Sequence, residues 1–132
     1  MKKVLLFTTT ILLSLFFLSC KKDKAETVAQ KLQHQWTIEN IINNYHDASG
    51  DDIVTTQGKP SDFINFNSNG TYASHFDGFD NTGTYSLIND TEVSIDGDTS
   101  TITTLTDKKL ELYSRISYST TDYDELTINA KR

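Results

Sequence analysis

Ile64-Asn65-Phe66-Asn67-Ser68-Asn69-Gly70-Thr71-Tyr72-Ala73-Ser74-His75-Phe76 is the stretch on which the fold turns. Ile64 and Phe66 alternate with Asn65 and Asn67, and Tyr72, Ser74 and Phe76 alternate again beyond Gly70. A period of two marks strands with one buried face. Asn-Gly between two such runs signals a hairpin, because both residues accept a positive φ. Gly70-Thr71-Tyr72 recurs as Gly83-Thr84-Tyr85, which reads as repeated hairpin chemistry rather than a true internal repeat.

Working toward the C-terminus, Tyr85-Ser86-Leu87 turns at Asn89-Asp90, Val93 and Ile95 alternate, and Asp96-Gly97-Asp98 turns again. Thr101 to Leu105 reads as a threonine-rich strand, followed by a turn at Thr106-Asp107-Lys108. Leu110, Leu112 and Ile116 then share a face, and Leu126, Ile128 and Ala130 share another after the acidic turn at Asp122 to Asp124. Working toward the N-terminus, the polar segment Asp47 to Lys59 reads as a loop holding a small strand at Ile53-Val54. Before it, Trp36, Ile38 and Ile42 fall on one face of a strand, interrupted by Asn40. Ala25 to Gln33 suits a short helix, with Val28 and Leu32 at i,i+4 spacing. The pattern predicts an all-β fold. It is a small antiparallel up-and-down barrel of about eight strands, with a short helix before it.

Ahead of this domain lies the one long apolar run, Val4 to Leu18, introduced by Lys2-Lys3 and closed by Phe17-Leu18-Ser19-Cys20. A basic start, an apolar segment and a small residue before the cut make a secretory signal. The run is short of the ~20 apolar residues that a membrane span needs. The single cysteine of the chain stands at its end, as in the lipobox cut after a diacylglyceryl group is attached. Ser19 meets the small-residue requirement, and Phe17 stands where that pattern prefers leucine. The expected organisation is a lipoprotein signal peptide over 1–19, then lipidated Cys20 and a tether through 24, then the barrel over 25–132. Two or more acyl chains anchor firmly where one does not. The expected location is therefore the bacterial cell envelope, at the periplasmic or surface face of the outer membrane. Lys21-Lys22-Asp23-Lys24 serves as a solvated spacer or as a transport signal.

Loss of residues 1–19 would leave 113 residues with 10 basic and 18 acidic side chains, a net charge of −8. That balance argues against nucleic acid, which needs a basic face, and against electrostatic docking on anionic lipid. No cysteine follows Cys20, so the fold depends on its hydrophobic core and not on disulfides.

The order of motifs resembles the lipocalin-like domains of bacterial lipoproteins. The residues that carry the resemblance are Leu32-Gln33-His34-Gln35-Trp36, Ile64 through Tyr72, Gly83-Thr84-Tyr85-Ser86-Leu87, and Ile102 through Leu112. The resemblance implies a small barrel with a possible cavity for an apolar ligand. In that family a glycine stands two residues before the tryptophan, where this chain has His34, and a basic residue near the chain end closes over the ring. Lys131 and Arg132 are the residues available for that role.

Trp36 either lines a cavity or plugs the closed end of the barrel. Phe66, Tyr72, Phe76, Tyr85, Leu87, Leu112 and Tyr118 are the candidates for the lumen. A barrel of this size is filled by its own side chains or holds one small ligand. The hypothetical ligand site is Trp36, Phe66, Tyr72, Phe76, Tyr85, Leu112 and Tyr118. His34, His46 and His75 match no zinc spacing. Asp77-Gly78-Phe79-Asp80-Asn81 and Asp96-Gly97-Asp98 do not follow the calcium loop and read as turns. There is no G-x-S-x-G elbow and no cysteine nucleophile after the anchor, and Asp51-Asp52 and Asp122 to Asp124 lack a helper. The expectation is a binding protein without catalysis, metal or cofactor. Its partners would be a membrane and a small apolar ligand, or an envelope protein or glycan met through the loops of a filled barrel.

Overall fold

A short helix, α1 (Val28–Leu32), leads into nine antiparallel strands: β1 (Gln35–Asp47), β2 (Gly50–Gln57), β3 (Phe63–Phe66), β4 (Thr71–Phe76), β5 (Phe79–Asn89), β6 (Glu92–Ile95), β7 (Asp98–Leu105), β8 (Lys109–Ser117) and β9 (Tyr123–Lys131). This computed structural model describes residues 25–132, so the expected signal segment, Cys20 and the tether lie outside the described residues. Each strand pairs with the next in sequence from β3 to β9, and β9 returns to pair with β1, which closes the sheet. Nine strands make an eight-stranded barrel because β2 and β3 lie end to end along the same edge of β1. Asn40 to Asp47 pair with β2, and Gln35 to Thr37 pair with β3.

The segment expected as a polar loop after Asp47 is thus mostly strand. β1 runs to Asp47, turns at Ala48-Ser49 and returns as β2, with Ser49 N–H donating to Asp47 Oδ1 at 2.6 Å. The interruption between β2 and β3 is held by a buried carboxylate. Asp62 Oδ2 accepts from Lys59 N–H at 2.9 Å, and Ile38 N–H donates to the Asp62 carbonyl at 2.9 Å.

Side-chain parity along β1 also differs from the expectation. A bulge between Ile38 and Asn40 adds one residue against β9, so the inward face passes from Trp36 and Ile38 to Ile41. Ile42 points outward. Gly58 sits against this bulge, its N–H donating to Glu39 O at 2.8 Å, and a Cβ there would collide with the Ile38 carbonyl.

The turns separate by chemistry. Asp77-Gly78 and Asp96-Gly97 are two-residue hairpin turns with both residues at positive φ, 50° and 90° in the first and 51° and 98° in the second. That is the mirror-image turn whose twist matches the flanking strands. At Asn67 to Gly70 only the glycine is left-handed, at φ 82°. Gly70 N–H donates to Asn67 O and Asn67 N–H to Thr71 O, so Asn-Gly here ends a turn with a one-residue bulge.

The core fills one half of the barrel. Trp36, Leu32, Phe66, Val93 and Leu110 are fully buried, with Ile38, Leu112, Ile102, Tyr85 and Ala130 around them. Phe66 meets Tyr85 edge-on with ring centres 4.9 Å apart. Helix α1 seals this end. Thr27 and Gln30 form a reciprocal capping box, and Trp36 Nε1 donates to the Leu32 carbonyl at 3.1 Å. Arg132 lies across the outside of the indole, its guanidinium 5.5 Å from the ring centre, with Nε bonded to Asp107 O. Lys31 pairs with Asp107 at 3.1 Å and ties the helix to the β7–β8 turn.

Candidate ligand-binding site

Beyond Tyr72 the barrel is not filled. A cavity of about 470 Å³ opens between β3 and β9 at the end away from α1. Small-molecule sites occupy roughly 300–1,000 Å³. Its apolar wall comes from alternating inward positions of β3, β6, β8 and β9: Ile64, Ile95, Ile116, Leu126 and Ile128. Its polar wall comes from Tyr72, Ser74, Asn81, Ser100 and Ser114, with Asp96 and Asp98 at the mouth. The inward positions of β4 and β7 carry serine where the closed end carries aromatic and branched residues, and this change in side-chain volume leaves the space.

The polar wall is organised by Asp96. Tyr72 Oη donates to Asp96 Oδ2 at 2.6 Å, Thr84 N–H donates to Oδ1 at 2.8 Å, and Asn81 Nδ2 donates to Tyr72 Oη at 3.0 Å. The carboxylate is held below its usual range by the Tyr72 hydroxyl first and the Thr84 amide second. Burial, and then the bond to Asp96, push the Tyr72 phenol up to about 12. The pair therefore stays ionised at Asp96 and neutral at Tyr72 across the physiological range.

The rim is uneven. On one side the β1–β2 and β8–β9 pairings run on, with Tyr45, Val54, Ile116 and Tyr118 all exposed. On the other stands the tip of the β4–β5 hairpin, with Phe79 79% exposed. Tyr118 is 65% exposed and its hydroxyl donates to Asp124 Oδ2 at 2.8 Å.

Of the residues expected to line a lumen, only Tyr72 borders the cavity. Trp36, Phe66, Tyr85 and Leu112 belong to the packed half, where Trp36 is the plug, and Leu87 packs at the edge of that core. Phe76 is half-buried near the mouth, and Tyr118 is on the rim. The sequence reading missed Ile64, Ile95, Leu126, Ile128 and the Asp96 group. Their alternation was visible in the sequence. Which half of the barrel each occupies depends on strand stagger, which pairing sets.

A second depression, of about 680 Å³, lies outside the barrel between β1, the 57–60 segment and Lys131. The Lys131–Glu39 ion pair, 2.8 Å long, is at its wall and it faces solvent, so it encloses no apolar surface comparable to the lumen. Among the described residues no three His, Cys, Asp or Glu side chains gather as a metal site, and no helix is long and apolar enough to cross a membrane. No family model matches the sequence, and no curated protein matches it.

Proposed function

We propose that this protein is a lipid-anchored binding module of the bacterial envelope that holds a small, largely apolar molecule in the open half of its barrel and does not transform it. The observation that carries this reading is the division of the barrel at Tyr72 into a packed end and an open cavity with one apolar and one polar wall. Such a wall pair buries a hydrophobic body and orients it by a few hydrogen bonds. The resemblance to lipocalin-like lipoprotein domains is supported by the closed eight-stranded barrel and by Arg132 over Trp36.

Anchoring at Cys20 suits this geometry. Four residues separate Cys20 from Ala25, five Cα steps with a reach of at most about 18 Å, and the chain enters α1 at the closed end. An anchored barrel then turns its mouth away from its own membrane, so the ligand arrives from the aqueous side. Native mass spectrometry of the protein extracted from its host's envelope tests the reading. Wild type carries a bound small molecule, and Ser114→Trp, which fills the cavity, loses it. If neither form carries or takes up a ligand, the reading fails.

A second reading, contact with a protein or glycan partner, is favoured by β2. Among the described residues no strand pairs with its outer edge, and Ile53 on it is 63% exposed.

A further inference from the structure

Charge is sorted by side around the mouth. Counted from the strand pairings, the inward positions there include Asp52 opposite Tyr45, Asp98 opposite Ile95, and Asp124 opposite Ile116. Asp96 adds a fourth carboxylate at the turn. Among the described residues no lysine, arginine or histidine occupies an inward position. His46, His75, Lys109, Arg115 and Lys131 all fall on outward ones, and Lys59 in its loop pairs with Asp77 at 2.7 Å. Arg115 borders the cavity, but its guanidinium is stacked 3.6 Å from the centre of the Tyr123 ring on the outward face. His34, Lys31, Lys108 and Arg132 belong to the closed end.

We infer that the cavity selects organic cations: molecules with an apolar body and an amine or quaternary ammonium head, and not fatty acids. The inference rests on the reading of this cavity as a ligand site. A cleft lined by one sign of charge between low-dielectric walls concentrates the opposite charge and repels its own. A carboxylate head entering here meets Asp96 and Asp98 with no cation to pair with. An ammonium head meets those carboxylates beside the ring of Tyr72, and aromatic rings attract cations through their quadrupole. The apolar body then lies against Ile95, Leu126 and Ile128.

The test uses the full-length protein in neutral phosphatidylcholine nanodiscs, with empty nanodiscs subtracted, titrated with octyltrimethylammonium, 1-octanol and octanoate. The ammonium should bind roughly tenfold or more tighter than octanoate, with octanol between, and added salt should narrow the gap. Asp98 accepts no hydrogen bond from the described residues, so Asp98→Asn should leave the fold intact and narrow the preference severalfold. Asp90→Asn changes net charge equally at the closed end and should leave it unchanged. The inference is overturned if octanoate binds as well as the ammonium, or if Asp90→Asn acts as strongly as Asp98→Asn. Failure of all three probes to saturate would overturn both the inference and the ligand-site reading beneath it.

Discussion

The carboxylate of Asp96 occupies the space that a Cβ on residue 83 would need. Gly83 is a glycine for this reason alone, since its φ is not among the positive ones. The vacancy lets Asp96 reach both Tyr72 Oη and Thr84 N–H, and so it shapes the polar wall of the cavity.

Gly83→Ala should therefore displace Asp96 and release Tyr72. Alkaline titration followed by tyrosinate absorbance should show the Tyr72 phenol falling from about 12 toward its ordinary 10. The thermal midpoint should fall as well. An unchanged titration would show that Asp96 does not hold Tyr72.

Two pH limbs follow, with signs fixed by the direction of each shift. The depressed Asp96 contributes stability that is present above the ordinary carboxylate value of 3.8 and is lost as pH falls through its lowered value. Asp62, Asp107 and Glu111 are depressed too, so they act in the same direction. The raised Tyr72 contributes stability present below pH 10 and lost as pH rises through about 12. Denaturant melts against pH should show a plateau between these limbs, and Asp96→Asn should weaken both.

The β1 bulge predicts opposite behaviour for two adjacent isoleucines. Ile41 packs on the core and Ile42 faces out between Thr55 and Thr127. Ile41→Ala should cost about 2 kcal/mol or more in urea unfolding, and Ile42→Ala under about 1. Equal losses would mean that the face does not switch.

This bulge also marks how far the sequence could be read. Period-two runs and turn residues gave the fold class and the order of strands, and the i,i+4 pair Val28 and Leu32 gave the helix. Ile38-Glu39-Asn40-Ile41-Ile42 carries isoleucine and a polar residue on both parities, so nothing local showed where the extra residue falls. Asp47 to Lys59 looked like a loop because β2 is exposed along its length and has no buried face to leave an alternating mark. Trp36, Phe66 and Tyr85 looked like lining because aromatics suit both cores and cavities. The cavity is instead made where Ser74, Ser100 and Ser114 are too small to fill the barrel.

At the closed end, Trp36→Ala should cost about 3–5 kcal/mol. Arg132→Ala should remove a cation–ring contact, about 0.5–1 kcal/mol at an exposed site, together with the exposed Nε hydrogen bond to Asp107 O. Neither should change ligand preference, because both lie on the far side of the packed core. A lost preference in Arg132→Ala would place the ligand at the wrong end.

Cys20→Ser should abolish incorporation of labelled palmitate and release the protein from the membrane fraction, whereas ligand binding by the released protein should persist. Retention of label in that variant would refute the anchor.

Methyl NMR of the isoleucine and leucine side chains during titration with octyltrimethylammonium would show which half of the barrel takes the ligand. Saturable shifts are expected at Ile64, Ile95, Ile116, Leu126 and Ile128, with Leu32 and Leu110 unmoved. Shifts centred on Leu32 and Leu110, or on Ile53 alone, would place the ligand outside the open half of the barrel.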